Sequence, residues 1–300
     1  MCPRRAYAPF GALNGPKSPA PTKSNMKRMI ARLLGPKPTN QRLHGPRTPD
    51  GATVWAIGDV HGRLDLLRPL VRVIQEDVPR GGGRMVVVFL GDYIDRGPHS
   101  REVIRFLSEL PDDGNIEWRF LIGNHERTML DFIEDPSLGP QWCEYGGQAT
   151  LASYGLKLPN LKHKPEAWAR LAADLDHKLT ATERAFLETL ELSVELGDYF
   201  FAHAGARPGQ PLDRQSARDL MWIRNSFLDS TVGFDRVVVH GHTPAPNVHI
   251  DERRIGIDTK AYASGVLSAV RFHGEARDII QAVEGEGGTV SIRGPEAAHS

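Results

Sequence analysis

The chain has 300 residues, of which 40% are hydrophobic and 25% charged, with 37 basic and 37 acidic side chains. This is the composition of an ordinary soluble globular protein, with room for one large domain or two small ones. The neutral balance is uneven: residues 1–50 carry a local +9 and the remaining 250 a compensating −9, which argues against a large nucleic-acid surface on the body. Cys2 and Cys143 are the only cysteines, so no disulfide framework is expected and a reducing, cytoplasmic setting is the default. No apolar run is long enough to cross a membrane as a helix, and the N-terminus lacks the apolar core of a secretory signal.

Residues 1–50 hold nine of the 22 prolines among scattered Gly, Ser, Lys and Arg. Such a stretch buries too little surface to offset its ordering entropy, and it reads as a disordered basic tail. Met26–Leu34 could form a basic amphipathic turn within it, and Met26 is an alternative start. From residue 51 a rhythm of strand, loop and helix begins. Thr53–Gly58 reads as a strand, and Leu64–Glu76 as a helix with Leu66, Leu67, Leu70, Val73 and Ile74 at helical spacing. Met85–Leu90 (M-V-V-V-F-L) is a second strand, short and β-branched as a buried central strand should be. His99–Leu110 is a helix, with Pro98 at its start, and Glu117–Ile122 a third strand. The alternation predicts an α/β architecture.

Residues 127–190 interrupt that rhythm. Helices are predicted near Thr128–Ile133, Gln141–Tyr154, Pro165–Leu175 and Thr182–Leu190, a helical insertion that covers or borders a site. A hairpin follows around Gly197, then a helix near Gln215–Met221. Strands at Arg236–His240, Asn247–Ile250, Arg253–Ile257 and Val266–Phe272 are expected in a second sheet, continued by Ala276–Val283 and Thr289–Ile292. A catalytic domain over 51–293 and a flexible tail over 294–300 complete the expected organisation.

Five polar clusters follow predicted strands: Gly58-Asp59-Val60-His61-Gly62, Gly91-Asp92-Tyr93-Ile94-Asp95-Arg96-Gly97, Gly123-Asn124-His125-Glu126, His203-Ala204-Gly205 and Gly241-His242-Thr243. Each alone is an ordinary loop. Five in this order predict one site at the strand ends. Asp59 and His61 are two apart on extended chain and point to the same side. Asp92 can offer one oxygen to each of two ions, which makes it the natural bridge. Asn124, His203 and His242 supply an amide oxygen and two imidazoles to the second ion. Mixed oxygen and nitrogen donors suit Mn²⁺, Fe or Zn²⁺ over Ca²⁺ or Mg²⁺, and two such ions favour in-line displacement at phosphorus by an activated water. Arg96 suits phosphoryl oxygens, with Arg224 a second candidate. His125, oriented by Asp95, is placed to protonate a leaving alkoxide. His240 is assigned to a supporting hydrogen bond, and Cys143 to packing.

With these motifs the chain resembles the calcineurin-like metallophosphoesterases over roughly residues 53–270, specifically the phosphoprotein phosphatase family with its bacterial and phage members. The resemblance implies a central β-sandwich of two mixed sheets flanked by helices, and a dinuclear site, usually Mn²⁺ in bacterial members. By motif it places Asp59, His61, Asp92, Asn124, His203 and His242 on metal ligands, His125 and Asp95 on the catalytic pair, and Arg96 on a phosphate-binding arginine. The chain departs from the pattern in three ways. Ile122 stands where many members carry Arg, the eukaryotic C-terminal Ser-Ala-Pro-Asn-Tyr block is replaced by Ile257–Tyr262, and Lys260 occupies a usual Gly. Tyr262 is a candidate at the substrate border.

The expected activity is hydrolysis of phosphoserine or phosphothreonine in proteins. The alternatives are a dinucleoside tetraphosphate hydrolase or RNA-decapping pyrophosphohydrolase, for which Trp142 and Tyr145 could stack a base, and a non-catalytic scaffold on the same fold. Partners are thus a phosphoprotein or a nucleotide polyphosphate, with no stable nucleic-acid complex.

Overall fold

The computed structural model describes residues 45–79, 83–158 and 165–297. The expected tail up to residue 44, including Met26–Leu34, lies outside them. The strands are β1 (Ala52–Ile57), β2 (Arg84–Phe89), β3 (Glu117–Phe120), β4 (Ser193–Leu196), β5 (Tyr199–Ala202), β6 (Val237–His240), β7 (His249–Ile250), β8 (Arg254–Gly256), β9 (Val266–His273), β10 (Ala276–Glu284) and β11 (Val290–Ala297). The helices are α1 (Leu64–Glu76), α2 (Ser100–Ser108), α3 (Asn124–Glu134), α4 (Gly139–Trp142), α5 (Gln148–Ser153), α6 (Pro165–Lys178), α7 (Ala181–Glu188), α8 (Ala217–Trp222), α9 (Asn225–Leu228) and α10 (Ala261–Ser264). A π-turn, Cys143–Gly147, joins α4 to α5.

Two mixed sheets pack face to face, one ordered β11-β10-β9-β1-β2-β3 and the other β4-β5-β6-β8-β7. Side-chain alternation along the strands builds the layers. Val54 and Ala56 of β1, Val86 and Val88 of β2, Tyr199 and Phe201 of β5, and Val237 and Val239 of β6 share the core between the sheets. Their neighbours Trp55, Ile57, Val87 and Phe89 face the opposite way, onto α1, α2 and the helical insertion. Phe200, Ala202 and Val238 face α8 and α9 through Leu220, Ile223 and Phe227. Both faces of each central strand are therefore apolar, which is why these strands read as continuous hydrophobic runs.

Two expectations are corrected. β9, β10 and β11 do not extend a second sheet. β9 pairs antiparallel with β1, from Thr53↔His273 to Ile57↔Ala269, and returns the end of the chain to the first sheet. Alternating Val, Leu and Ala specify a buried strand but not which edge it joins. The flexible tail expected over 294–300 is also corrected for residues 294–297, where β11 stays paired with β10 out to Asp278↔Ala297, and the remaining residues lie outside the described ones. At the other end, residues 45–50, which composition assigns to the tail, are tied to the sheets. Buried Thr48 exchanges hydrogen bonds with the backbone of Gly274 (3.2 and 3.0 Å), and Pro46 O accepts from the Tyr199 hydroxyl at 3.0 Å.

Candidate active site

β1, β2 and β3 run parallel, as do β5 and β6. Parallel strands bring their C-terminal ends to one edge, and the five clusters leave from those ends. The first two loops are laced together: the Val60 and His61 amides donate to Asp92 O at 3.1 and 2.8 Å. Asn124 and His125 do not sit in a loop; they form the first turn of α3. Gly123 before them is required by space. A Cβ there would lie 2.2 Å from Asp92 Oδ1 and 2.4 Å from Asp92 N. His61, Asp92, Asp95, Arg96 and His242 all have left-handed backbone, with φ from 45 to 71°. Such conformations cost of order 1–3 kcal/mol each and persist only where the surroundings over-determine them.

Two of the buried histidines, His61 and His203, are fixed by backbone carbonyls in tautomers that leave Nε2 bare toward the site. His61 Nδ1 donates to Ile94 O at 2.8 Å, so its Nε2 is bare, 3.5 Å from Asp92 Oδ2. His203 Nδ1 donates to Leu90 O at 2.7 Å, so its bare Nε2 faces Asn124 Oδ1 (2.9 Å), His242 Nδ1 (3.2 Å) and Asp92 Oδ1 (3.4 Å). His242 Nε2 is buried with no partner. Burial lowers the pKa of His61 to about 3, of His242 to about 2, and that of His203 below its usual value, so all three are neutral near pH 7. Burial disfavours the Asp92 carboxylate; protonation of the surrounding imidazoles, His203 foremost, would favour it and draw its pKa below the usual range, and near pH 7 His125 is the one among them held toward its charged form. The bare Nε2 of His203 meets Asn124 Oδ1 and Asp92 Oδ1 with no proton between them, a gathering of acceptors that a cation would satisfy, so the residues fit divalent metal ions. Two groups, His61–Asp92–His125 and Asp92–His203–His242, have donor atoms within 4.8 Å of one another, and Asp92 belongs to both.

The structure thus brings together His61, Asp92, Asn124, His203 and His242. Asp59 is adjacent but outside both groups. Its carboxylate accepts the His242 backbone N–H at 3.0 and 3.1 Å. His125, expected as an acid rather than a ligand, lies within reach of the first group and also pairs with Asp95, Nδ1 to Oδ2 at 2.6 Å. Burial would lower its pKa, but Asp92 and the Asp95 hydrogen bond raise it above the usual value. Among these imidazoles it is the one held toward its charged form. Arg96 spans His61 Nε2 (3.1 Å) and His125 Nε2 (3.2 Å) with its two terminal nitrogens. The Tyr262 ring covers that guanidinium at 4.7 Å and meets His61 edge-on at 5.3 Å. Exposed Arg224 acts electrostatically on His203, His242 and Asp258. His240 is buried and hydrogen-bonded to Gly241 O at 2.9 Å and to Arg254 at 3.2 Å.

The roles of four side chains escape sequence reasoning. Glu126 is fully buried and accepts from the backbone amides of Asp92 (2.9 Å), Tyr93 (2.7 Å) and Gly123 (2.9 Å), so one carboxylate locks the loop that carries Asp92. Its position three residues after Gly123, at the third residue of α3, was the available signal. Trp142 and Thr150 hold Asp95: the indole N–H donates to Oδ2 at 2.8 Å and the Thr150 hydroxyl to Oδ1. Trp142 is 0% exposed, which removes it as a base-stacking residue, whereas Tyr145 is 57% exposed. Nothing in the sequence marks Trp142 as a donor. The insertion reaches Arg96 too, because Gly146, at φ 114°, offers its carbonyl to the Arg96 amide at 3.2 Å, and a Cβ there would meet Arg96 Cγ at 2.7 Å. The fourth is Asp258, 3% exposed, whose pKa burial raises to about 6. Cys143 is buried as expected, and burial pushes its thiol up to about 12.

The sequence profile of the calcineurin-like phosphoesterases matches residues 52–269. An asymmetrical bis(5'-nucleosyl)-tetraphosphatase, PrpE of Halalkalibacterium halodurans, is 27% identical over 231 residues, covering 72% of this chain and 88% of that protein. Serine/threonine-protein phosphatase 1 of Salmonella typhimurium is 26% identical over 242 residues, covering 73% and 91%. Among solved structures, a point mutant of a cold-active protein tyrosine phosphatase superposes with a TM-score of 0.51 at 18% identity, covering 82% of this chain and 83% of that one, a likeness of fold.

Proposed function

The chain belongs to the calcineurin-like phosphoesterases, and we propose that within this family it is a two-metal hydrolase of phosphoric esters, with His125 as general acid. The convergence of unprotonated acceptors about Asp92 carries the reading. Asp92, common to both groups, would be shared by two ions, with His61 and Asp59 holding one and Asn124, His203 and His242 the other, and Mn²⁺ would be the expected metal with Fe or Zn²⁺ as alternatives. When bound, such ions polarise phosphoryl oxygens and lower the pKa of water. The rest falls to the protein. Arg96, held over His61 and His125, presents its guanidinium edge to the phosphoryl group. His125, aimed by Asp95 at 2.6 Å, donates from Nε2 to the departing oxygen once Arg96, whose terminal nitrogen faces that Nε2 at 3.2 Å in this structure, has turned to the phosphoryl group. Arg224 and Tyr262 border the substrate.

Two substrate classes divide this reading. Phosphoserine or phosphothreonine is favoured by the Asp95–His125 pair, because an alkoxide is a poor leaving group that needs a proton. A dinucleoside polyphosphate is favoured by relatives such as PrpE, and by Ile122 where a further phosphate-binding arginine is common. The scaffold alternative has no support from a site with its acceptors and acid in register. Rates on a phosphopeptide panel and on diadenosine tetraphosphate, measured side by side with Mn²⁺, separate the two. Absence of Mn²⁺-dependent turnover on both would reject the hydrolase reading.

A further inference from the structure

Among the described residues six that are not glycine have left-handed backbone. Five are the site residues above. The sixth is Lys260, at φ 61°, ψ 47°, the residue preceding α10. A Gly there would adopt the same backbone without strain. The Lys side chain returns nothing to the fold that offsets its cost. It is exposed, and no carboxylate lies within ion-pair distance of it among the described residues. Its ammonium lies over the Tyr262 ring, whose centroid is 5.9 Å from Nζ.

The backbone around it is firmly set. The Lys260 amide donates to Asp258 Oδ1 at 2.7 Å, and its carbonyl accepts from Ala263 (2.8 Å) and Ser264 (2.9 Å). Buried Arg63 donates to Ala261 O at 2.9 Å and is itself anchored on Asp65 and Glu284. Position 260 is therefore held in place, and its ammonium lies over the same Tyr262 ring that covers Arg96. Arg96 and Arg224 likewise have no carboxylate within ion-pair distance among the described residues. A single phosphoryl group held by two ions and Arg96 leaves Arg224 and Lys260 without counter-charge.

We propose that Lys260, with the Tyr262 ring as its platform, forms a subsite for a second phosphoryl group, anhydride-linked to the one attacked, and so selects substrates carrying linked phosphates. The inference rests on the two-metal hydrolase reading and names which substrate class that site prefers. Lys260 acts on binding and not on the bond broken, so its loss appears in KM. The strained backbone is the cost of placing a cation there.

The test compares Lys260→Gly and Lys260→Arg with the unaltered Mn²⁺-loaded protein. For Lys260→Gly, KM for diadenosine tetraphosphate should rise about tenfold with kcat within about twofold, while KM for p-nitrophenyl phosphate stays unchanged. Calorimetric binding of inorganic tripolyphosphate should weaken by the same factor, and that of orthophosphate should not. Lys260→Arg should restore both. The melting temperature of Lys260→Gly should stay level or rise by about 2–4 °C as strain is relieved. Equal weakening for mono- and polyphosphate, or unchanged tripolyphosphate binding, overturns the proposal. If neither substrate is turned over, the hydrolase reading fails, and the tripolyphosphate measurement still decides on Lys260.

Discussion

Trp142→Phe isolates the link between the helical insertion and the proposed acid. The indole N–H lies 2.8 Å from Asp95 Oδ2, the oxygen that also holds His125 Nδ1 at 2.6 Å. Phenylalanine keeps the stacking against Phe132, centroids 5.1 Å apart, but removes the donor. A hydrogen bond to a buried carboxylate contributes roughly 1.5–3 kcal/mol, and the smaller ring leaves a void worth about 1–2 kcal/mol more. We expect a loss of about 3–4 kcal/mol, or about 10 °C in melting temperature for a domain of this size. Asp95 retains the Thr150 hydroxyl, so His125 is misaimed, not released. General acids contribute about 10²–10⁴ in rate, and partial loss should lower kcat about tenfold on an alkyl phosphate. An aryl phosphate, whose leaving group needs no proton, should lose under about threefold by the same argument. Steady-state rates on both substrates, with His125→Ala as the limiting case, give the ratio. Equal loss on the two substrates would refute a positioning role for Trp142 and leave it as packing.

Asp92→Asn removes the charge shared by both acceptor groups. Bound metal should fall below that of the unaltered protein, and hydrolysis by at least about 100-fold; full Mn²⁺-dependent activity on p-nitrophenyl phosphate would reject the dinuclear arrangement. Gly123→Ala places a methyl 2.2 Å from Asp92 Oδ1, so metal binding should weaken and stability drop by about 1–3 kcal/mol. Unchanged metal content and melting temperature would show that Asp92 can move without consequence. Glu126→Gln preserves shape but exchanges one acceptor oxygen for an amide facing backbone N–H groups. The cost should be about 1–3 kcal/mol, with faster hydrogen exchange at residues 92–94; unaltered exchange there would mean the loop holds its own shape.

The site was legible because its donors sit at predicted strand ends, and parallel pairing needs no long-range information to put those ends on one edge. β1 and β2 announced themselves through apolar runs, and α1 through its 3.6-residue spacing. What sequence could not supply was long-range. The destination of β9–β11 depends on which edge is free, a property of the assembled sheet. Trp142 and Thr150 lie about 50 residues from Asp95, and their roles exist only once the insertion has folded against the 91–97 loop. Asn124 and His125 fell on a helix and not in a loop because Glu126 caps that turn, a signal present in the motif but masked by its neighbours. Residues 45–50 were assigned by composition, which does not register a single buried threonine.

The return of β9 to β1 has a kinetic consequence. By residue 242 every proposed metal donor has been made, yet β1 still lacks its neighbour on one side until residues 266–273 arrive. Until then the strand that leads into Asp59 and His61 is an open edge, able to pair wrongly. Such closure between distant segments is slow, and folding followed by pulse-labelled exchange should find β1 protected only after β9 and β10 have formed.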